Sequence, residues 1–289
     1  MNGILVVNKP CNCTSRDVVN EVSKIFKTKK IGHTGTLDPI ATGVLVLTIG
    51  TATKLSEILT SEYKEYVASV ILGIKTDTLD ITGKVLKEEN IYIKEEEIKN
   101  KIQNMKGTYM QEVPIYSAVK IKGKKLYEYA RNNEEVLLPK REVTIKEINL
   151  LGDIKYKEGK IYFDVKCLVS KGTYIRSLIN DLALSLNTIG TMSNLKRTKQ
   201  GQFDIKNSYS LEEIKEGKFK LISIESALSK YKQVVVQNES EILNGKILEN
   251  VYNEPILFKN KKNELLALYK IYEKDNTKIK PWKMLKKDF

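Results

Sequence analysis

A short segment of the chain gathers a carboxylate, the only histidine and an unusual number of glycine and proline residues. It runs from Gly32 to Gly43 with the sequence GHTGTLDPIATG. Pro39 disfavours helical angles at the residue before it, so we expect Asp38 to lie extended in a loop. A carboxylate fixed on such a loop is a candidate catalytic group. An ordinary Asp-Pro turn is the alternative interpretation of the same residues.

A second segment, Ser170 to Arg176, opens the most strongly amphipathic helix of the sequence. We expect Thr173 to cap this helix and Tyr174 to occupy its first turn, where the helix N-terminus favours an anion. Arg176 would then pair with Asp38 and keep it ionised. The alternative is an ion pair along the helix's own surface, but no acidic residue lies three or four positions from Arg176.

The loop has no second carboxylate, and this restricts the reactions that Asp38 could catalyse. Ionised carboxylates act as nucleophiles in covalent glycosidic chemistry, but a glycosidase normally needs a second carboxylate as its acid, and none accompanies Asp38. Cys11, Cys13 and Cys167 form no metal-ligand pattern. The acids of Asp77–Gly83 miss the spacing of a calcium loop and indicate a hydrogen-bonded turn. The sequence therefore predicts neither a metal nor a cofactor.

Charge and aromatic residues indicate an RNA partner. The formal net charge is +13, and only five of the 49 basic residues are arginine, which suggests that each arginine has a task needing a planar donor. Tyrosines alternate with basic residues around Tyr66 and across 114–131, and an aromatic ring stacks on an unstacked base at about 1–3 kcal/mol. A solubilising lysine surface and core tyrosines are the alternatives.

The elements that must position these residues alternate between strands and helices. Strands are predicted over 4–7, 44–49, 66–73, 143–150 and 161–169, with 44–49 buried on both faces and the last two antiparallel. Helices are predicted after Ser15 as cap and over 54–59, 95–105 and 174–186. Two short helices follow, one opened by a capping box at Ser210 and one over 223–228. These pieces predict an α+β domain over residues 1–230.

The remaining segment, 231–289, has a different pattern of apolar and turn-forming residues. Short strand-like pieces separated by asparagine-containing turns predict a small β-rich domain near the lower size limit for independent folding. The odd cysteine count favours a reducing compartment, and the apolar run at 4–7 is too short for a signal peptide. No apolar run approaches the length of a membrane span. We therefore expect a cytoplasmic protein without a membrane partner.

Taken together, these residues resemble a known family. The loop from Gly32 to Gly43 resembles the GHxGxLDPxATGxL signature of tRNA pseudouridine synthases of the TruB type, and Lys9-Pro10 with Thr14-Ser15 resembles the family's KPxGxTS. Asn12 replaces the usual glycine and tolerates left-handed angles, and Lys196 stands where arginine is common. Further motifs follow in the family's order across the first 230 residues: 64–66, 114–120, 126–131, 171–176 and 195–197.

The resemblance implies a fold and a site. The fold is a pseudouridine-synthase-like catalytic domain, a large mixed, mainly antiparallel sheet flanked by helices, followed by a degenerate PUA-like RNA-binding domain. Asp38 would be the catalytic nucleophile. Tyr66 would stack on the target uracil and assist removal of the C5 proton, and His33 would stack to hold the disrupted T-loop. The other substrate-binding residues it implies are Tyr174 lining the pocket, Arg176 pairing with the aspartate and Leu195 beside the base.

The resemblance also implies a reaction and a partner. A uridine at position 55 in the T-loop of tRNA would be flipped out and rejoined to the sugar through C5, with no cofactor or metal, by a monomer that needs no protein partner. Attack of the aspartate on the base and on the sugar both remain open. The alternatives are a guide-RNA-dependent synthase, which the lack of long basic tails disfavours, and a tRNA-folding chaperone.

Overall fold

Two β-sheets carry the fold, which this computed structural model describes over residues 1–286. The strands of the larger sheet and its two hairpins are β1 Gly3–Lys9, β2 Ile31–His33, β3 Thr42–Ile49, β4 Lys64–Leu72, β5 Ile74–Thr76, β6 Val85–Glu88, β7 Gly107–Glu112, β8 Lys120–Ile121, β9 Lys124–Lys125, β10 Lys140–Lys157, β11 Lys160–Val169, β12 Gly190–Gln200 and β13 Phe203–Asp204. The strands of the smaller sheet are β14 Lys232–Val235, β15 Leu248–Glu249, β16 Ile256–Lys259, β17 Leu265–Tyr272 and β18 Asp275–Met284.

Eight α-helices and two 3-10 turns connect these strands within the described residues. The helices are α1 Ser15–Ile25, α2 Ser56–Thr60, α3 Glu95–Asn104, α4 Leu126–Arg131, α5 Ile175–Ser185, α6 Leu211–Lys215, α7 Ile224–Ala227 and α8 Ser240–Leu243, and the 3-10 turns are Gly50–Leu55 and Ile205–Asn207. None of the helices in residues 1–286 has both the length and the apolar character needed to cross a membrane.

The larger sheet has the order β1-β3-β12-β4-β11-β10-β7, with β2 paired to β3 and β13 to β12. Only β3 and β12 are parallel in it, since every other ladder is antiparallel. The predicted α+β fold with a large mixed, mainly antiparallel sheet is therefore confirmed. The predicted antiparallel pairing of 143–150 with 161–169 is also confirmed, as the β10–β11 ladder.

Burial explains why these residues form a sheet. Residues 43–49 are buried without interruption because helix α1 covers one face of β3 and the smaller sheet covers the other, as the apolar run predicts. Strand β4 instead alternates between buried and half-buried residues over its first half. Apolar residues of α5 pack on β12 and β4, while those of α3 pack on β10 and against α5.

Two of the predicted helix caps are wrong, since the N-cap in the structure is the neighbouring residue. Thr14, rather than Ser15, caps α1, because Thr14 has extended angles and its side chain forms a reciprocal capping box with Asp17. Helix α5 begins after Tyr174, which has no side-chain cap. The Thr173 hydroxyl donates to the Ser170 carbonyl at 2.9 Å instead. The predicted capping box at Ser210 is confirmed, and the helix predicted over 223–228 is observed as α7, capped by Ser223.

The β-rich character of the C-terminal segment is confirmed. Its five strands form one sheet in the order β14-β16-β17-β18-β15. Leu257 and Leu268 of this sheet share a buried cluster with Ile4 and Val44 of the larger sheet, and Trp282 packs against it. The two sheets therefore share a core cluster. The division at residues 230/231 and the PUA-like character stay predictions.

Candidate active site

The Asp38 loop is fixed at several points along its backbone. The Ser15 hydroxyl bonds both the amide and the carbonyl of Leu37, at 2.9 and 3.3 Å, and the Ala41 amide donates to the Asp38 carbonyl at 3.0 Å. The buried Lys9 ammonium donates to the Pro39 carbonyl at 3.2 Å. Asp38 therefore lies in a rigid loop between β2 and β3, as predicted.

Asp38 and Arg176 form a two-point ion pair. The Arg176 Nε lies 3.0 Å from Asp38 Oδ2, and Nη2 lies 3.3 Å from Oδ1. The guanidinium side chain is only 5% exposed, whereas that of Asp38 is 36% exposed. A charge-assisted bidentate pair fixes direction as well as distance. The arginine therefore holds the carboxylate from within the protein while one part of the carboxylate faces solvent.

Two backbone carbonyls and a second carboxylate hold Arg176 itself. Its Nη1 donates to the Thr78 carbonyl at 2.8 Å, and its Nη2 donates to the Tyr116 carbonyl at 3.0 Å. Asp80 Oδ2 lies 3.8 Å from Nε. This buried Asp80 accepts hydrogen bonds from the hydroxyls of Thr78 and Thr82, so the predicted turn at 77–83 is confirmed. The contact between Asp80 and Arg176 was not predicted, because the spacing of the acids in 77–83 indicates a turn but does not show which residue lies beside that turn.

A cleft of about 280 Å³ opens over the ion pair. Asp38, Arg176, Tyr66, Tyr174 and Leu195 all line it, although they come from the β2–β3 loop, from the start of α5, from β4 and from β12. This volume is close to the lower end of ordinary small-molecule sites. The structure thus brings together five of the six residues expected at the site.

His33 is the expected site residue that does not line the cleft. It ends β2 and is half-buried, with a buried Nδ1 that has no hydrogen-bond partner. Burial, together with the positive charges of Arg16 and Arg197, lowers the pKa of His33 below its usual value. Its imidazole is therefore neutral at physiological pH, which suits contact by stacking and not by charge.

Two basic residues that line the cleft, Arg197 and Lys64, were expected only as members of longer motifs. The Arg197 side chain, 1% exposed, donates to the carbonyls of Val44 and Gly35 at 2.6 and 3.1 Å, and its Nη1 lies 3.5 Å from the Tyr66 hydroxyl. Lys64 is also buried, and burial together with Arg197 lowers its pKa to about 8. The scarcity of arginine in this chain was the available signal for Arg197.

A larger cavity, about 700 Å³, lies on the far side of α5 and does not include Asp38. Tyr109, Ser177 and Asp181 are among the residues that line it. Size therefore does not identify the site, and we assign the site from the ion pair and the aromatic residues around it. Within residues 1–286 no group of three or more His, Cys, Asp or Glu side chains is placed to hold a metal ion.

Comparison with known proteins gives one family. The model of the TruB family pseudouridylate synthase, N-terminal domain, matches residues 23–175. A tRNA pseudouridine synthase B of Caldicellulosiruptor saccharolyticus is 48% identical over 85% of this chain and 83% of its own. The enzyme of the same name from Staphylococcus saprophyticus is 41% identical over 98% of this chain and 99% of its own.

Solved structures show the same fold at lower identity. A chain of an H/ACA ribonucleoprotein bound to a substrate RNA containing 2′-deoxyuridine matches with a TM-score of 0.68 and 22% identity, over 98% of this chain and 85% of that one. A chain of a Cbf5–Nop10–Gar1 complex matches with a TM-score of 0.71 and 23% identity, over 99% and 85%. At such identities the likeness concerns the fold alone.

Proposed function

Since the chain belongs to the TruB family of pseudouridylate synthases, we propose that it isomerises one uridine of tRNA, at position 55 in the T-loop, to pseudouridine. The enzyme class follows from the family, and the two relatives described above are named as tRNA pseudouridine synthases. The modified position, extrusion of the base and the role of the aspartate are our proposal. Asp38 is the nucleophile in it.

One observation carries this proposal: a half-exposed carboxylate held by a buried guanidinium at the floor of a cleft with aromatic walls. Two of the hydrogen bonds from Arg176 go to the two Asp38 oxygens, one to each, and leave other lone pairs of these oxygens free to face a ligand. An ionised and fixed oxygen of this kind can attack an electron-poor carbon of a bound nucleoside.

The reaction conserves every atom of the nucleoside. The bond between C1′ and N1 breaks, a bond between C1′ and C5 forms, the C5 proton leaves and N1 gains a proton. Because the uracil stays in the cleft and rejoins the same ribose, no departing product needs an external acid. A single carboxylate is therefore sufficient, which accounts for the absence of a second one in the loop.

Base extrusion costs a few kcal/mol, and the cleft offers contacts that offset it. We propose that the extruded uracil stacks on Tyr66, while Tyr174 and Leu195 bound the space around it. The Tyr66 hydroxyl, 3.5 Å from the Arg197 guanidinium, is the group we assign to help remove the C5 proton. His33, next to the cleft and neutral, stacks on the opened T-loop.

The proposal includes a tRNA T-arm as the only partner. Loops of RNA expose bases that a duplex conceals, so an isolated T-arm stem-loop should suffice as substrate, without guide RNA, metal, cofactor or a second protein. We propose a monomer acting in the cytoplasm. A chaperone role in tRNA folding can coexist with this activity and needs none of the contacts between Asp38 and Arg176.

Substitution Asp38→Asn tests the catalytic assignment. The amide keeps the size of the side chain but has no negative charge to attack with, so we expect pseudouridine formation to fall by at least about a thousandfold. The affinity for the stem-loop, measured by filter binding, should stay within about threefold. Asp164→Asn is the matched control, since Asp164 is an exposed residue of β11.

Mapping pseudouridine in a bare tRNA transcript treated with the purified protein tests the substrate. Modification should appear at position 55 alone, and a transcript with cytidine there should stay unmodified. Normal turnover by Asp38→Asn would show that Asp38 is not the nucleophile. Activity only after addition of a guide RNA would replace it with the guide-dependent alternative.

A further inference from the structure

Helix α5 carries Arg176 but has no side-chain cap of its own. In a capping box the residue three positions into the helix bonds back to the cap amide. Here that residue, Ser177, instead donates to the Glu112 carbonyl at 2.8 Å. The Tyr174 amide is bonded by a residue from another element, since Gln111 Oε1 of β7 accepts from it at 2.8 Å.

The other end of the Gln111 amide is also fixed. Its Nε2 donates to the Tyr109 hydroxyl at 2.8 Å, and that hydroxyl donates to Asp181 Oδ2 at 3.0 Å. Gln111 is 1% exposed, so water cannot replace either bond readily. We call Tyr109, Gln111 and Asp181 the α5 network, because it links the Tyr174 amide just before that helix to Asp181 within it.

The direction of every hydrogen bond in the α5 network is determined. Burial, together with the neighbouring Asp181, raises the pKa of Tyr109 above its usual value, so the phenol remains a donor. The phenol oxygen accepts from Gln111 Nε2, which leaves Gln111 Oε1 to face the Tyr174 amide. One orientation of the Gln111 amide therefore satisfies both neighbours, and the flipped orientation satisfies neither.

The contacts with β7 lie on a different side of α5 from Arg176. At about 100° per residue, Ser177 and Asp181 lie about 40° apart around the helix, and the Tyr174 amide lies at its N-terminal end. Arg176 lies about 100° to 140° around the helix from Ser177 and Asp181, and its guanidinium bonds Asp38. Contacts with β7 therefore fix the rotation of α5, and that rotation determines where the guanidinium meets the carboxylate.

From this arrangement we infer that Gln111 is a positioning residue for the reaction, acting through Tyr174 and Arg176 with Tyr109 and Asp181 holding its amide in place. This inference deepens the proposed function and rests on it for its kinetic consequence. Gln111 does not line the cleft, so it acts without touching the substrate. Small displacements of such groups reduce rates strongly, since about 1 Å can cost a hundredfold.

Two substitutions test the inference by single-turnover kinetics on a T-arm stem-loop. Gln111→Leu removes both bonds and should lower the rate constant by about 10- to 100-fold, and Tyr109→Phe should lower it by about 3- to 10-fold. The dissociation constant of the stem-loop should change by less than about threefold. Gln103→Leu is the matched control, because Gln103 of α3 bonds the Ile148 carbonyl of β10, away from the site.

Repeating Gln111→Leu in an Arg176→Lys background separates positioning from a general loss of stability. If Gln111 acts through Arg176, Gln111→Leu should lower the rate constant much less in the Arg176→Lys background than in the wild type. Both substitutions would then impair the same alignment of Asp38, so their effects would not multiply. Equal losses in the two backgrounds would overturn the inference. If Gln111→Leu does not fold, Tyr109→Phe, which keeps the buried ring, is used in the same cycle.

Amide hydrogen exchange gives a readout that needs no activity. The Tyr174 amide should exchange at least about tenfold faster in Gln111→Leu and Tyr109→Phe than in the wild type, while amides of α3 stay unchanged. Unchanged exchange at Tyr174 would overturn the inference. An inactive wild-type protein with the expected exchange would instead remove the proposed function and leave the α5 network in place.

Discussion

The guanidinium of Arg176 uses all three of its nitrogens. Nε and Nη2 bond the two oxygens of Asp38, while Nη1 and Nη2 also bond the carbonyls of Thr78 and Tyr116. A planar donor with a fixed fork can do this, whereas the ammonium of lysine is a point charge. The rarity of arginine in this lysine-rich chain indicated such a task, and the pairing with Asp38 was predicted. The carbonyl partners were not, since backbone groups have no signature in a sequence.

Arg176→Lys should therefore be a severe change although it keeps the charge. We expect the single-turnover rate constant to fall by about a hundredfold or more, because the carboxylate loses its two-point partner. Rapid-quench assays on a T-arm stem-loop measure this. Arg141→Lys, on the exposed start of β10, is the control and should behave as wild type. A rate within a few-fold of wild type for Arg176→Lys would show that bidentate geometry is unimportant.

At the scale of elements, the site depends on the meeting of β3 and β12. These strands pair in parallel where Gly43 faces Arg197. Gly43 has φ +98°, and a Cβ there would lie 2.2 Å from the Arg197 carbonyl oxygen. The sequence predicted both strand β3 and a glycine-dependent loop before it. It could not show that Arg197 lies against this glycine, because 153 residues separate the two in the chain.

Gly43→Ala should be destabilising for two reasons. The left-handed backbone angle costs about 1–3 kcal/mol for a residue with a Cβ, and contact with the Arg197 backbone adds to that loss. Urea unfolding measures the total. Gly123→Ala is the control for the angle alone, since Gly123 has φ +84° and nothing within 4 Å of its Cβ position. If Gly43→Ala and Gly123→Ala lower the free energy of unfolding equally, the close approach of β3 and β12 does not add to the destabilisation.

At the scale of the whole molecule, charge is the property that composition alone reveals. The net charge of +13 predicts electrostatic binding of a polyanion. Some lysines already have acidic partners, such as Lys99 with Glu95 on α3. Others, including Lys171 at the rim of the cleft, are exposed and face the proposed RNA site. We therefore expect the exposed lysines near the cleft, and not the lysines paired with acids, to make the affinity for RNA depend on salt.

Binding of the T-arm stem-loop should weaken steeply with salt. The slope of log K against log salt is about −0.7 for each phosphate contact on a single strand, so five contacts give about −3.5. Lys171→Gln should reduce the magnitude of the slope by about one contact. Lys99→Gln should leave the slope unchanged. Filter binding from low to moderate salt measures both, and a flat response in the wild type would contradict a basic RNA-binding surface.

The amino-acid sequence was enough to predict the main elements, the loop that carries Asp38 and a polyanionic partner. These follow from local rules: proline and glycine restrict or free the backbone, apolar spacing indicates buried faces, and charge sums over the chain. The pairing of Asp38 with Arg176 was predicted because Arg176 lies at the start of a helix and has no acidic residue three or four positions away.

The distant groups that surround this ion pair became apparent only once the chain was folded. Asp80, Arg197 and the α5 network reach the site through sheet pairings and helix packing, and the exclusion of His33 from the cleft has the same origin. Contacts of this kind depend on how β4, β12 and β7 lie beside one another. That order is set by the balance of all buried surfaces together, so no single stretch of sequence contains it.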